Sequence, residues 1–214
     1  MRSMISERIG IWAREKLLVV GTFLGSLGLT PNLLTIIGFL LNCAVAVIIA
    51  TGNLRLGGVL LLFSSGFDML DGSVARATGK TSKFGGFFDS TVDRYSEIVV
   101  YAGLLYHLLD TEDWKNGAIL TLLAATGAIM ISYARARAEA QGWKAAVGLL
   151  ARTERVVLLS IGLVAGKPLW ALWILAIGTH LTAVTRVIHV WRIAQLEGAA
   201  TGPAAKTSSD APTL

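Results

Sequence analysis

The stretch Asp68-Met69-Leu70-Asp71-Gly72-Ser73-Val74-Ala75-Arg76, followed after eight residues by Gly85-Gly86-Phe87-Phe88-Asp89-Ser90-Thr91-Val92-Asp93, sets four aspartates at fixed spacing inside hydrophobic sequence. An acidic side chain near the centre of a membrane helix costs on the order of 2.5–3.5 kcal/mol on insertion scales. Four of them would cost roughly 10–14 kcal/mol unless a positive partner neutralises them. No Lys or Arg pattern matches the four one for one, so bound metal is the expected partner.

Composition sets this motif in a membrane. The chain is 54% hydrophobic and only 15% charged, with a mean hydropathy of +0.63. A soluble domain would carry about 25% charged residues. Apolar segments suited to spanning lie at 33–51, 56–76, 84–109, 117–137, 154–166 and 169–190. Several are interrupted, as spans that line a polar cavity are. With both termini placed in the cytoplasm, 16 of the 19 Lys and Arg fall on that side. Only Arg55, Lys115 and Lys167 fall outside, which satisfies the positive-inside rule. This distribution, rather than the net charge of +5, decides the partner class: membrane lipid, not nucleic acid.

The expected fold is an all-α integral membrane protein of six transmembrane helices. Residues 1–26 mix Ile5, Ile9, Trp12 and Leu17 with Arg8, Arg14 and Lys16, and read as an amphipathic helix lying at the interface. Residues 27–196 form the six-span domain, and 197–214, rich in Gly, Ala, Pro, Ser and Thr, read as a disordered tail. The single cysteine, Cys43, sits in an apolar run as a small hydrophobe. His107, His180 and His189 lack metal-ligand spacing and are expected to pack. Most of the tryptophans, among them Trp114, Trp170 and Trp191, fall near expected interfaces.

Spacings of three between Asp68 and Asp71, and of four between Asp89 and Asp93, put each pair on one helix face. The segment Ala77–Phe84, with Gly79, Lys80, Thr81 and Ser82, is polar enough to turn at the membrane surface. A helical hairpin would then bring the two acidic faces together. Oxygen ligands suit Mg²⁺ or Mn²⁺, which act together with substrate phosphates. Three or four carboxylates can hold two ions about 3.5–4 Å apart, an arrangement that supports in-line displacement at phosphorus. One carboxylate can take a proton from an attacking hydroxyl. Polar helix contacts or a cation pathway are the alternatives.

The pattern D-x2-D-G-x2-A-R-x8-G-x3-D-x3-D, matched at Asp68, Asp71, Gly72, Ala75, Arg76, Gly85, Asp89 and Asp93, resembles the signature of the CDP-alcohol phosphotransferases. The resemblance implies Asp68, Asp71 and Asp89 as metal ligands. It implies Asp93 as the catalytic general base, also touching a second metal. Gly72, Ala75, Arg76 and Gly85 would shape a cytidine nucleotide site. The segment Thr30-Pro31-Asn32-Leu33-Leu34-Thr35 is similar to one found before the first span in that family, which adds Asn32 and Thr35 to the nucleotide site. Family members are commonly homodimers.

A second cluster comprises Ser132-Tyr133-Ala134-Arg135-Ala136-Arg137-Ala138-Glu139, then Arg152-Thr153-Glu154-Arg155, then Arg186 in the last span. Arginine within a span needs a partner or a watery cavity, and its planar fork matches phosphate oxygens. Positive-inside anchoring accounts for Arg135, Arg152 and Arg192. Within the family the cluster resembles the branch whose acceptor is inositol 1-phosphate. That resemblance implies Ser132, Arg137, Arg155 and Arg186 as ligands of the acceptor phosphate. The lipid donor would be CDP-diacylglycerol or CDP-archaeol, in the cell membrane, with a cytoplasmic active site. Glycerol-3-phosphate as acceptor, or a cation or phosphate transporter, are the competing readings.

Overall fold

The computed structural model describes residues 22, 23, 26, 28–77, 79 and 81–200, without the side chains of Met69, Asp71 and residues 198–200. The amphipathic helix expected over 1–26 therefore lies almost wholly outside the described residues. Among them the chain forms seven helices and no strand: α1 (Pro31–Ala50), α2 (Leu54–Phe67), α3 (Met69–Ala77), α4 (Lys83–Leu109), α5 (Trp114–Ala140), α6 (Arg152–Val164) and α7 (Pro168–Ala200).

Local chemistry sets the helix starts. Thr30 caps α1 by accepting from the Leu33 amide at 3.3 Å, and Pro31 opens the first turn, where its missing N–H costs nothing. Ser82 caps α4 by accepting from the Gly85 amide at 2.9 Å. The turn before it uses Gly79 at φ +66, a left-handed conformation open to glycine without a Cβ clash. The expected turn between the two acidic segments is thus present, and the two helices it joins meet around a shared cavity rather than in extensive direct packing. The span expected over 56–76 is divided at Asp68, although the Asp68 amide still bonds the Ser64 carbonyl at 3.1 Å. Helix α7 continues through Ala200, past the start expected for the tail at 197. Alanine loses no side-chain entropy in a helix, which favours this extension.

The helices run up and down. Helix α1 packs on α2, α3 and α4, α2 on α6, α5 on α4 and α7, and α6 on α7. Small residues allow the closest approaches: a Cβ at Gly103 would meet the Ala46 carbonyl, and one at Gly127 would meet the Thr179 side chain. Val45, Ile49, Leu61, Leu104, Leu108, Leu120, Leu163, Leu172 and Leu175 fill one end of the bundle. That end carries the short turns at 51–53, 110–113 and 165–167, with Arg55, Lys115 and Lys167 on or beside them. The aspartate motif and most of the remaining basic residues occupy the opposite end.

Four helical stretches are long and apolar enough to cross a membrane: Pro31–Ala50, Leu54–Ala77, Trp114–Ala140 and Pro168–Glu197. Helix α4 has 27 residues but carries Asp89, Asp93, Arg94 and Glu97. Helix α6 has 13 residues, roughly 20 Å of helix at 1.5 Å per residue, against a hydrocarbon core of about 30 Å. The two atypical helices are those that present charge to the polar end.

Candidate active site

Asp68, at the joint of α2 and α3, and Asp93, on α4, face one another across a guanidinium. Arg152, the first residue of α6, donates from Nη2 to Asp68 Oδ2 at 2.7 Å. Its Nη1 lies 2.9 Å from Asp93 Oδ1, and Arg94 Nη1 lies 3.5 Å from Asp93 Oδ2. The three bridged side chains are 12–24% exposed, so this is a half-buried ionic cluster rather than a surface pair. Arg152 Nε is buried without a hydrogen-bond partner among the described residues. Positive-inside anchoring is therefore not an adequate account of Arg152.

One turn further along α4, Glu97 receives Arg155 through two bonds, Nε–Oε1 at 2.7 Å and Nη2–Oε2 at 2.6 Å. Arg155 is 2% exposed and also donates from Nη1 to the Leu150 carbonyl at 2.9 Å. Glu97, Arg155, Asn42 and Tyr101 line a small recess that Asp68 and Arg152 also border. Glu97 was not among the site residues read from the sequence. Its signal was present all the same, because Asp89, Asp93 and Glu97 form an i, i+4, i+8 ladder on one helix face.

Beside this cluster lies a cavity of about 260 Å³ between the start of α1, helix α3 and the start of α4. Asn32, Thr35, Gly72, Ala75, Arg76 and Gly85 all line it, together with Asp89. Every residue expected at the nucleotide is thus gathered around one space. Glycine leaves room there: a Cβ at Gly85 would lie 3.0 Å from Ser82 Oγ and 3.5 Å from Asn32 Oδ1. At Gly72 it would meet Arg76 Nη1 at 3.3 Å.

The acceptor set is less concentrated than expected. Ser132 lines a cavity between α4 and α5 with Ser90, Thr91, Arg94 and Arg135. Arg137, exposed in the last turn of α5, borders a different groove with Arg186 and Trp143. Arg186 is 6% exposed and donates to the backbone, from Nε to the Val147 carbonyl at 2.9 Å and from Nη1 to the Ile131 carbonyl at 2.7 Å. Arg155 faces the Glu97 recess instead. The structure therefore does not bring Ser132, Arg137, Arg155 and Arg186 to a single pocket.

The histidines fill packing roles at two positions, His180 Nε2 at 3.1 Å from the Leu123 carbonyl and His189 Nε2 at 3.2 Å from the Lys144 carbonyl.

Carboxylates are hard oxygen donors that fit Mg²⁺ or Mn²⁺. Two of the four already hold a cationic group between them, which shows that the pair accommodates positive charge. Among the described residues, no three His, Cys, Asp or Glu side chains form a metal cluster; the Asp71 side chain is not among those described. The chemistry of the donor set fits a divalent ion.

A helical bundle with an acidic cluster and an adjoining cavity at one end is suited to handling a phosphorylated lipid. Residues 28–202 match the sequence model of CDP-alcohol phosphatidyltransferases. The archaetidylinositol phosphate synthase of Pyrococcus horikoshii is 39% identical over 169 residues, 78% of this chain and 87% of that protein. A crystal structure of Mycobacterium tuberculosis phosphatidylinositol phosphate synthase with CDP-DAG bound superposes with a TM-score of 0.77 at 30% identity, covering 92% of this chain and 98% of that one. The same enzyme in complex with manganese and citrate also gives 0.77 at 30% identity, covering 92% and 93%. The chain belongs to the CDP-alcohol phosphatidyltransferase family. It is an enzyme, a phosphotransferase of that family.

Proposed function

We propose that this enzyme transfers a phosphatidyl-type group from CDP-diacylglycerol or CDP-archaeol to inositol 1-phosphate, releasing CMP. The observation that carries the reading is the cavity joining Asn32, Thr35, Gly72, Ala75, Arg76 and Gly85 to Asp89, beside the Asp68–Arg152–Asp93 cluster. The names of the Pyrococcus and mycobacterial relatives support the acceptor.

In this reading the cytidine diphosphate part of the donor occupies the cavity, with Asn32 and Thr35 at the start of α1 as polar contacts. Gly72, Ala75 and Gly85 leave it space, and Arg76 offers a guanidinium. Asp68, Asp71, Asp89 and Asp93 would hold two divalent ions, Mg²⁺ or Mn²⁺. When bound, these ions neutralise the diphosphate and stabilise the charge that develops on it. Asp93 takes the proton from the acceptor hydroxyl. The resulting oxygen bonds to the β-phosphorus as the bond from that phosphorus to the CMP oxygen breaks. Arg137 and Arg186, with Ser132 in the neighbouring cavity, recognise the acceptor phosphate as the resemblance implies. Arg155, held by Glu97, supports them from within the bundle.

A CMP-release assay on the purified chain with a panel of alcohols tests the reading. Inositol 1-phosphate is expected to support turnover far better than glycerol-3-phosphate or free inositol. Preference for glycerol-3-phosphate would move the enzyme to another branch, and equal use of free inositol would remove the arginine site.

The six-span topology, with the amphipathic helix before it and both termini cytoplasmic, belongs to the same proposal, as do the domain limits at 26 and 196. So do residence in the cell membrane and a homodimeric state. Single cysteines at positions 80 and 144, in a Cys43→Ala background, are expected to be shielded from impermeant reagent outside sealed right-side-out vesicles. Cysteines at 115 and 167 are expected to react. The basis is the 16-to-3 division of Lys and Arg between the two sides. Labelling at 80 or 144 from outside would invert the orientation and the site with it.

A further inference from the structure

We propose that Arg152 is a built-in counter-cation of the acidic site, which competes with divalent metal for Asp68 and Asp93. The inference rests on the metal-binding role given to these aspartates above. It comes from three observations on the same side chain. First, the two terminal nitrogens of Arg152 are divided between carboxylates of different helices, at 2.7 Å to Asp68 and 2.9 Å to Asp93. A residue placed to support one of them would use both nitrogens on it, as Arg155 uses Nε and Nη2 on Glu97. Second, Arg152 Nε is buried and has no hydrogen-bond partner among the described residues, so this position leaves one of its donors unsatisfied. An unsatisfied buried donor is costly, so this position of the guanidinium is less stable than one that uses all its donors. Third, Asp68 and Asp93 reach the site from different elements, the joint of α2 and α3 and the middle of α4. Their carboxylates would repel without a cation between them, and Arg152, from α6, supplies one.

Divalent metal and the Arg152 guanidinium then exclude each other from Asp68 and Asp93. Metal loading requires the guanidinium to give up two charged contacts. The acidic site stays neutralised when metal is scarce, at the expense of metal affinity.

Mn²⁺ binding to the full-length chain in detergent, read by electron paramagnetic resonance without lipid or acceptor, tests this without recourse to turnover. Arg152→Gln is expected to tighten the Mn²⁺ Kd by about 10-fold, the factor carried by 1.4 kcal/mol. The same variant is expected to melt lower than the parent in chelator and to gain more from added Mn²⁺. Arg152→Lys has one ammonium that can satisfy one carboxylate fully, so its Kd is expected between those two. It carries the comparison if Arg152→Gln does not fold. An unchanged or weaker Kd in the folded variants overturns the competition while leaving the metal site standing. Failure of the parent chain to bind Mn²⁺ at all overturns both.

Discussion

Asp93→Asn is expected to lower CMP release by about 10²–10⁴-fold, the usual contribution of a positioned general base. Asparagine matches aspartate in size and keeps one acceptor oxygen toward Arg152, so the cluster holds its shape. It cannot take a proton from the acceptor hydroxyl, and loss of the base is the larger part of the rise in the barrier, since one oxygen remains for a metal ion. Binding of the CDP-lipid in the presence of Mg²⁺ is expected to remain within a few-fold of the parent, because the cavity of Asn32, Gly72, Ala75 and Gly85 does not include Asp93. Turnover measured by CMP release and binding measured by calorimetry together separate the two effects. Turnover within about 10-fold of the parent would remove Asp93 from the base role. Joint loss of binding and turnover would make it a metal ligand first.

The acidic motif was legible because its residues are close in sequence and lie on helices whose phase is regular. Spacings of three and four fix a face, Gly79 and Ser82 mark the turn, and Thr30-Pro31 marks the start of α1. The nucleotide cavity lies where that turn brings α3 and the start of α4 around one space, although Asn32 and Thr35 arrive from a different helix. The counter-cation did not follow, since Arg152 meets Asp68 across 84 positions of sequence. No local rule carries that distance, and a basic residue at a helix start also satisfies the charge rule for membrane proteins. The acceptor set is divided between two cavities for a reason of helical phase. Ser132 and Arg137 are five residues apart, about 140° around an α-helix, so one helix cannot turn both toward the same space. Ser132 and Arg135 share a face, and the structure puts them in one cavity. The division of a span at Asp68 was likewise hidden in continuous hydrophobic sequence, whereas the short α6 was already marked by the short apolar segment 154–166.

Arg155→Leu is expected to destabilise the fold by about 3–5 kcal/mol, the cost of breaking a buried ion pair from one side. Arg155 is among the most enclosed side chains of the bundle, at 2% exposure, and Glu97 is held in two places by it. Removing the guanidinium leaves a carboxylate, 10% exposed, facing Tyr101, Val100 and Leu159 without its main compensating charge. The Leu150 carbonyl loses its partner as well. At roughly 2–4 °C per kcal/mol for a domain of this size, the melting temperature in detergent is expected to fall on the order of 10 °C. Glu97→Leu should do similar damage by leaving the arginine unpaired. The double change Glu97→Leu with Arg155→Leu is expected to recover most of the loss, because burying two apolar side chains costs less than burying one uncompensated charge. Such a cycle separates two roles that the sequence alone leaves mixed. If Arg155 served chiefly as a ligand for the acceptor phosphate, the single change would raise the acceptor KM with a melting temperature near that of the parent. The double variant would then stay as impaired as the single. Recovery of stability in the double variant, with Arg155→Leu the less stable of the two, is the outcome the two bonds to Glu97 require.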